Sequence, residues 1–125
     1  MQLHEILTIA DHAVTRNPER PATAIVHDSA DARLVVFRID AGQEVAPHNS
    51  TSTVILSVIR GSGIISGPVA GVMADRAVSV GSVAAYEPGE LHGMRAISET
   101  MVVAATIAPR PGAAPRMPEH AVQAS

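Results

Sequence analysis

Residues 42–61 read GQEVAPHNSTSTVILSVIRG, and the rest of the chain is organised around them. Gly42 opens the stretch, Pro47 and His48 stand in its middle, an apolar run follows, and Gly61 closes it. Side chains alternate faces along a strand. In the run TVILSVI, residues 53–59, that alternation puts Val54, Leu56 and Val58 on one side. Ile55, Ser57 and Ile59 fall on the other. A strand apolar on both sides is buried on both sides. Residues 81–92, GSVAAYEPGELH, repeat the plan: a glycine first, Tyr86 inside, and His92 last.

Working outward, the texture of strands continues in both directions. Residues 33–39, RLVVFRI, are rich in β-branched and aromatic types. Short runs at 22–27, 44–46, 63–66, 71–80, 92–97 and 101–108 read the same way. Turn signals separate them at residues 28–31, 40–42, 61–63, 67–68, 88–89 and 98–99. Many short strands at this spacing predict a sandwich or a barrel. Ahead of them, Leu3, Ile6, Leu7, Ala10, Ala13 and Val14 recur at helical steps, which predicts a short amphipathic helix over 3–13. Three segments follow: a helix and arm over 1–21, a barrel over 22–108, and a tail over 109–125. Prolines 109, 111, 115 and 118 interrupt the tail, and it reads as disordered or loosely attached.

Composition narrows the classes. The chain has 125 residues, 46% of them hydrophobic, enough for one domain with a real core. Aromatic residues make up only 2%, so Val, Ile, Leu, Ala and Met must build that core. The formal charge of −3, with no basic run, argues against nucleic acid. No apolar run approaches membrane-spanning length. The sequence holds no cysteine, which excludes disulfides, thiolate metal sites and a Cys nucleophile. Residues 1–14 lack a basic region of the signal-peptide kind, and a cytoplasmic location is the default expectation. Gly61, Gly63 and Gly67 lie close together, but no helix follows them, so they read as a turn rather than a dinucleotide loop.

The two glycine-to-histidine stretches resemble the motifs of small single-domain bacterial cupins, of the conserved-barrel cupin 2 type. The first cupin motif runs glycine, five residues, His-x-His, a short gap, glutamate, six residues, glycine. Gly42, His48 and Gly61 match it. The second runs glycine, five residues, Pro-x-Gly-x-x-His, with an asparagine four residues on. Gly81, Gly89 and His92 match, with Pro88 displaced by one place. The resemblance covers roughly residues 22–108. It implies an all-β double-stranded β-helix, a jelly-roll barrel, with a short N-terminal helix added. It also implies a divalent metal held by three histidines and a glutamate. Here Ser50 stands at the second histidine, Val54 at the glutamate and Ala96 at the asparagine. Of the four ligands only His48 and His92 are present, so the motif is degenerate.

The residues themselves say what that loss means. Positions 48, 50 and 54 share strand parity, so all three are expected to face the barrel interior. A catalytic metal site wants three protein ligands plus water. Two imidazoles hold a metal weakly, a serine hydroxyl is a poor ligand, and Val54 offers only methyl groups. Two readings stay open. In one, the protein is a small-molecule-binding cupin whose reduced pocket is lined by His48, Ser50, Val54, Tyr86 and His92. It then carries no metal, or a weakly bound Zn, Fe, Ni or Mn. In the other, it is a metal-dependent enzyme of dioxygenase or isomerase type that uses His48 and His92. Water, ligand, Glu90, Glu44 or Asn49 would complete the site. A homodimer with Ile55 and Ile59 at or near the interface is expected from the two-faced strand and from a charged fraction of only 17%.

Overall fold

The computed structural model describes residues 1–112. Helix α1 spans Ile6–His12. Nine strands follow: β1 Ala22–Asp28, β2 Arg33–Ile39, β3 Glu44–His48, β4 Thr53–Arg60, β5 Ser62–Val69, β6 Val72–Ser79, β7 Val83–Tyr86, β8 His92–Arg95 and β9 Met101–Ala108. They form two antiparallel sheets, in the orders β1-β2-β9-β4-β7 and β3-β8-β5-β6. The two sheets face each other as an all-β jelly roll.

The interior between the sheets holds Ile39, Val54, Leu56, Val58, Ile65, Tyr86, Met94, Ala96, Met101, Val103 and Ala105, all buried. In β4 it is Val54, Leu56 and Val58 that face inward, as alternation requires. Central strand β9 reads MVVAATIA, and its first five residues are buried. Met101, Val103 and Ala105 face the interior, while Val102 and Ala104 face outward beneath α1.

Helix α1 is shorter than the periodicity predicts. Leu3 and Val14, 82% and 87% exposed, extend the apolar spacing but touch no core. Glu5, at the start of the helix, is extended and makes no side-chain cap. What holds the helix is its packing and its far end. Ile6, Ile9 and Ala10 pack on Val36, Val102 and Ala104. Arg38 donates from Nη1 to the carbonyls of Ala10 at 2.7 Å and Ala13 at 3.0 Å. These lie at the end where helical carbonyls lack partners and a cation is favoured.

The turn expected at Gly67-Pro68 is not there. Both residues belong to β5, and the chain reverses at Ala70-Gly71, with φ of +52° and +80°. Two successive positive φ values are the mark of the tight hairpin turn that suits strand twist. Pro68 is tolerated because β8 pairs only with Ile64, Ile65 and Ser66, so that side of β5 is already without a neighbour.

Of the tail predicted over 109–125, residues 113–125 lie outside the described residues. Of the four before them, Pro109 and Arg110 are tied to the barrel. Ser52 Oγ donates to the Pro109 carbonyl at 2.6 Å, and Arg110 Nε meets Asp28 at 2.7 Å.

Candidate functional site

His48 ends β3 and His92 opens β8, and the two are cross-strand partners in the β3–β8 ladder. A register shift between Val45 and His48 brings them opposite each other. The loops beyond them are also tied, since Gly89 N–H donates to the Ser50 carbonyl at 2.7 Å. The imidazole centroids therefore lie 4.2 Å apart, with the rings tilted by 59°. A cavity of about 350 Å³ opens beside them, lined by His48, Asn49, Ser50, Thr51, Val54, His92, Ile107 and Pro111.

Four of the five predicted pocket residues thus share one cavity, although they do not share one strand. Strand β3 ends at His48 in one sheet, and Val54 begins the inward-facing run of β4 in the other. Residues 49–52 form the connection, and Ser50 Oγ accepts from the Ser52 N–H at 3.1 Å. The fifth residue, Tyr86, stands behind His92 with ring centroids 5.1 Å apart. Its hydroxyl donates to the Ser66 carbonyl at 2.8 Å, and its ring lines a different cavity.

Each imidazole is oriented by its own backbone. His48 Nδ1 lies 3.0 Å from the Ala46 carbonyl, and His92 Nδ1 lies 3.3 Å from the Glu90 carbonyl. A carbonyl can only accept, so Nδ1 carries the proton in both rings. In the neutral form Nε2 then keeps the lone pair. The two rings differ in burial: His48 is exposed, His92 only 5% exposed. Burial pushes the His92 pKa below the ordinary imidazole value, and the neighbouring His48 pushes the same way. The Glu90 carbonyl opposes them. Burial thus favours the neutral, proton-accepting form of His92.

The donor set does not fit a tightly held metal. Among the described residues, no group of three or more His, Cys, Asp or Glu side chains is placed to hold one ion. Of the residues named to complete the site, only Asn49 lines the histidine cavity. Glu44 lines a separate cavity with Arg20 and Phe37. Glu90 turns back to accept the Glu87 N–H at 2.7 Å.

Sequence reasoning missed Thr51, Ile107 and Pro111. Ile107 shares the parity of Met101, Val103 and Ala105 on β9, so a strict count along that strand finds it. Pro111 carries no such signal.

Among solved structures the chain resembles an RmlC-like cupin protein from Desulfovibrio desulfuricans. The two are 30% identical with a TM-score of 0.71, over 87% of this chain and 97% of that one. This chain belongs to the RmlC-like cupins. A conserved protein from Klebsiella pneumoniae, with a double-stranded β-helix domain, is similar in fold at 24% identity and a TM-score of 0.69. That match covers 84% of this chain and 90% of that one. An oxalate decarboxylase from Bacillus subtilis shares the fold at 16% identity and a TM-score of 0.69, over 80% of this chain and 28% of that one. No family model matches this cupin, and no curated protein does. Among its described residues no helix is long and apolar enough to cross a membrane.

Proposed function

We propose that this cupin binds a small molecule in the cavity beside His48 and His92, in the cytoplasm, with no metal or only a weakly held one. The cytoplasmic placement rests on the sequence alone. The observation that carries the reading is the donor set. Two imidazoles, the hydroxyls of Ser50 and Thr51, the Asn49 carboxamide and the apolar side chains of Val54, Ile107 and Pro111 line a cavity of about 350 Å³. Cavities of this size, mostly apolar with a few polar groups, suit small ligands. His92 offers a neutral acceptor and exposed His48 a second imidazole, which suits a ligand bearing hydroxyl or amide donors. Protein purified without a histidine tag is expected to carry well under one metal per chain. A stoichiometric zinc, iron, nickel or manganese signal that His48→Ala or His92→Ala abolishes would overturn the reading.

One observation favours the second reading, a metal-dependent enzyme of dioxygenase or isomerase type. Both Nδ1 atoms face backbone carbonyls, which is how metal-binding imidazoles are commonly oriented by their surroundings. Water or a chelating ligand would have to supply the remaining positions.

We also propose a homodimer through the outer face of the five-stranded sheet. The two isoleucines of β4 differ. Ile59 packs against the cluster under its own helix, whereas Ile55 is only half-buried beside Ala85 of β7 and Thr106 of β9. The interface is therefore assigned to Ile55 rather than to both. Light scattering at micromolar concentration is expected to give the dimer mass, and Ile55→Glu the monomer mass. A monomer in the unaltered protein would sink the proposal.

A further inference from the structure

A second cavity lies on the flank where the sheets do not join. Strands β6 and β7 are each last in their sheet. Between them is a space of about 270 Å³. That exceeds the roughly 150 Å³ that accommodates one benzene. Its apolar wall includes Ile65 and Gly67 of β5, Ala74 and Val78 of β6, and Ala84 of β7. Tyr86 packs close against β5 there, and a Cβ at Gly67 would meet its ring at 2.5 Å. His48 and His92 do not line this space.

One charged side chain in that wall, the exposed Arg76, makes no contact that fixes it among the described residues. Arg76 stands opposite Ile65 in the β5–β6 register. Ile65 is part of the interior core, so the register puts Arg76 on the inner face of the sheet. Arginines 33, 38, 60, 95 and 110 each meet an aspartate. Arg76 meets no hydrogen-bond or ion-pair partner among the described residues. Its neighbour Asp75 has the opposite parity and is taken by Ser66 at 2.6 Å and Arg95 at 2.9 Å. Glu90 also lines the cavity, but on the Tyr86 side. There its charge adds to burial in raising the phenol to about 12, and one of its oxygens is held by the Glu87 N–H. The cavity is thus cationic at β6 and anionic near Tyr86.

A guanidinium presents its donors in a rigid fork that matches a carboxylate bidentately. We propose that this flank cavity binds a small carboxylic acid, with its carboxylate on Arg76 and its apolar body against Ile65, Val78 and Ala84. The site is separate from the histidine cavity and does not depend on the function proposed there. An inward charge on an edge strand also discourages sheets from pairing edge to edge. That role needs a charge but no ligand, so a binding experiment separates the two.

Benzoate, with benzamide as its neutral counterpart, is a suitable probe, followed by amide chemical shifts and calorimetry on the full chain. Benzoate is expected to bind at millimolar concentration or below and to shift Ala74, Val78 and Ala84. Benzamide should bind about tenfold or more weakly. Arg76→Gln should lose the preference for benzoate. Arg76→Lys, which keeps the charge and loses the fork, should fall between the two and serves if the glutamine variant does not fold. His48→Asn should leave benzoate affinity unchanged. Equal affinity for the two probes overturns the proposal. So do unaltered benzoate binding in both Arg76 variants, shifts centred on His48 and His92, or no shift at millimolar benzoate.

Discussion

The two faces of the five-stranded sheet are both apolar, but they are covered by different means. The inner face meets the four-stranded sheet, and Val54, Leu56, Val58, Met101, Val103 and Ala105 are all buried there. Among the described residues, the outer face is packed by α1, a helix of seven residues. Val36 and Val102 are fully buried under that helix, whereas Ile55, further along β4, is only half-buried. Alternating apolar residues look alike on both faces of a strand. What differs is how well each face is covered: more fully by a second sheet, which leaves cavities at its margins, and less fully by a short helix tied down by Arg38. The proposed dimer is placed on the outer face for that reason.

The largest test of that contrast is Leu56→Ala. Leu56 is 1% exposed in the middle of the interior, and its truncation should cost about 2–5 kcal/mol in denaturant unfolding. A cost below about 1 kcal/mol would mean the interior is no tighter than the outer face.

The pair Ser50→His with Val54→Glu probes the same inner face at its cavity end, where both residues line the wall beside His48 and His92. Zinc affinity should rise about a hundredfold, equivalent to roughly 2.7 kcal/mol. Without metal, the carboxylate placed at buried position 54 should destabilise the protein. No gain in affinity would show that the two new side chains fail to converge with the histidines.

On the outer face, Arg38→Met removes the cation from the helix carbonyls and should cost about 1–2 kcal/mol. Hydrogen exchange should then quicken in α1 more than in β4 or β9. A uniform increase would show that helix and sheet open together, which removes the distinction between the two covers.

The smallest effect is the pH response of the histidine pair. Burial holds His92 below its unfolded pKa, so the unfolded chain binds the extra proton more readily. Its contribution to stability is therefore present above the unfolded value of about 6.5 and lost as pH falls through the lower folded value. His92→Gln should flatten the pH dependence of stability across that window. An unchanged slope would mean that His92 is not sheltered by the interior.

Much of this was legible in the chain. The glycine-to-histidine stretches, and turn signals at nearly every strand end, carried the all-β architecture and the cupin resemblance, because both depend on local spacing. The helix was overread at its ends, Leu3 and Ala13, since periodicity records spacing and not contact. The turn expected at Gly67-Pro68 was misplaced, because Ala70 with positive φ is the rarer choice for a hairpin.

By itself the sequence determined which residues alternate, where the turns cluster, and that Ser50 and Val54 stand where a cupin metal site has ligands. These are properties of neighbours along the chain. Only the tertiary structure decided that His48 and His92 face each other across a ladder. The same is true of Ile107 and Pro111 lining their cavity, of Ile59 packing under its own helix, and of Arg76 lining an open flank with no partner among the described residues. Each of these depends on the register between strands far apart in the chain. Register is set by how the two sheets bury their apolar faces together, and no local spacing encodes it.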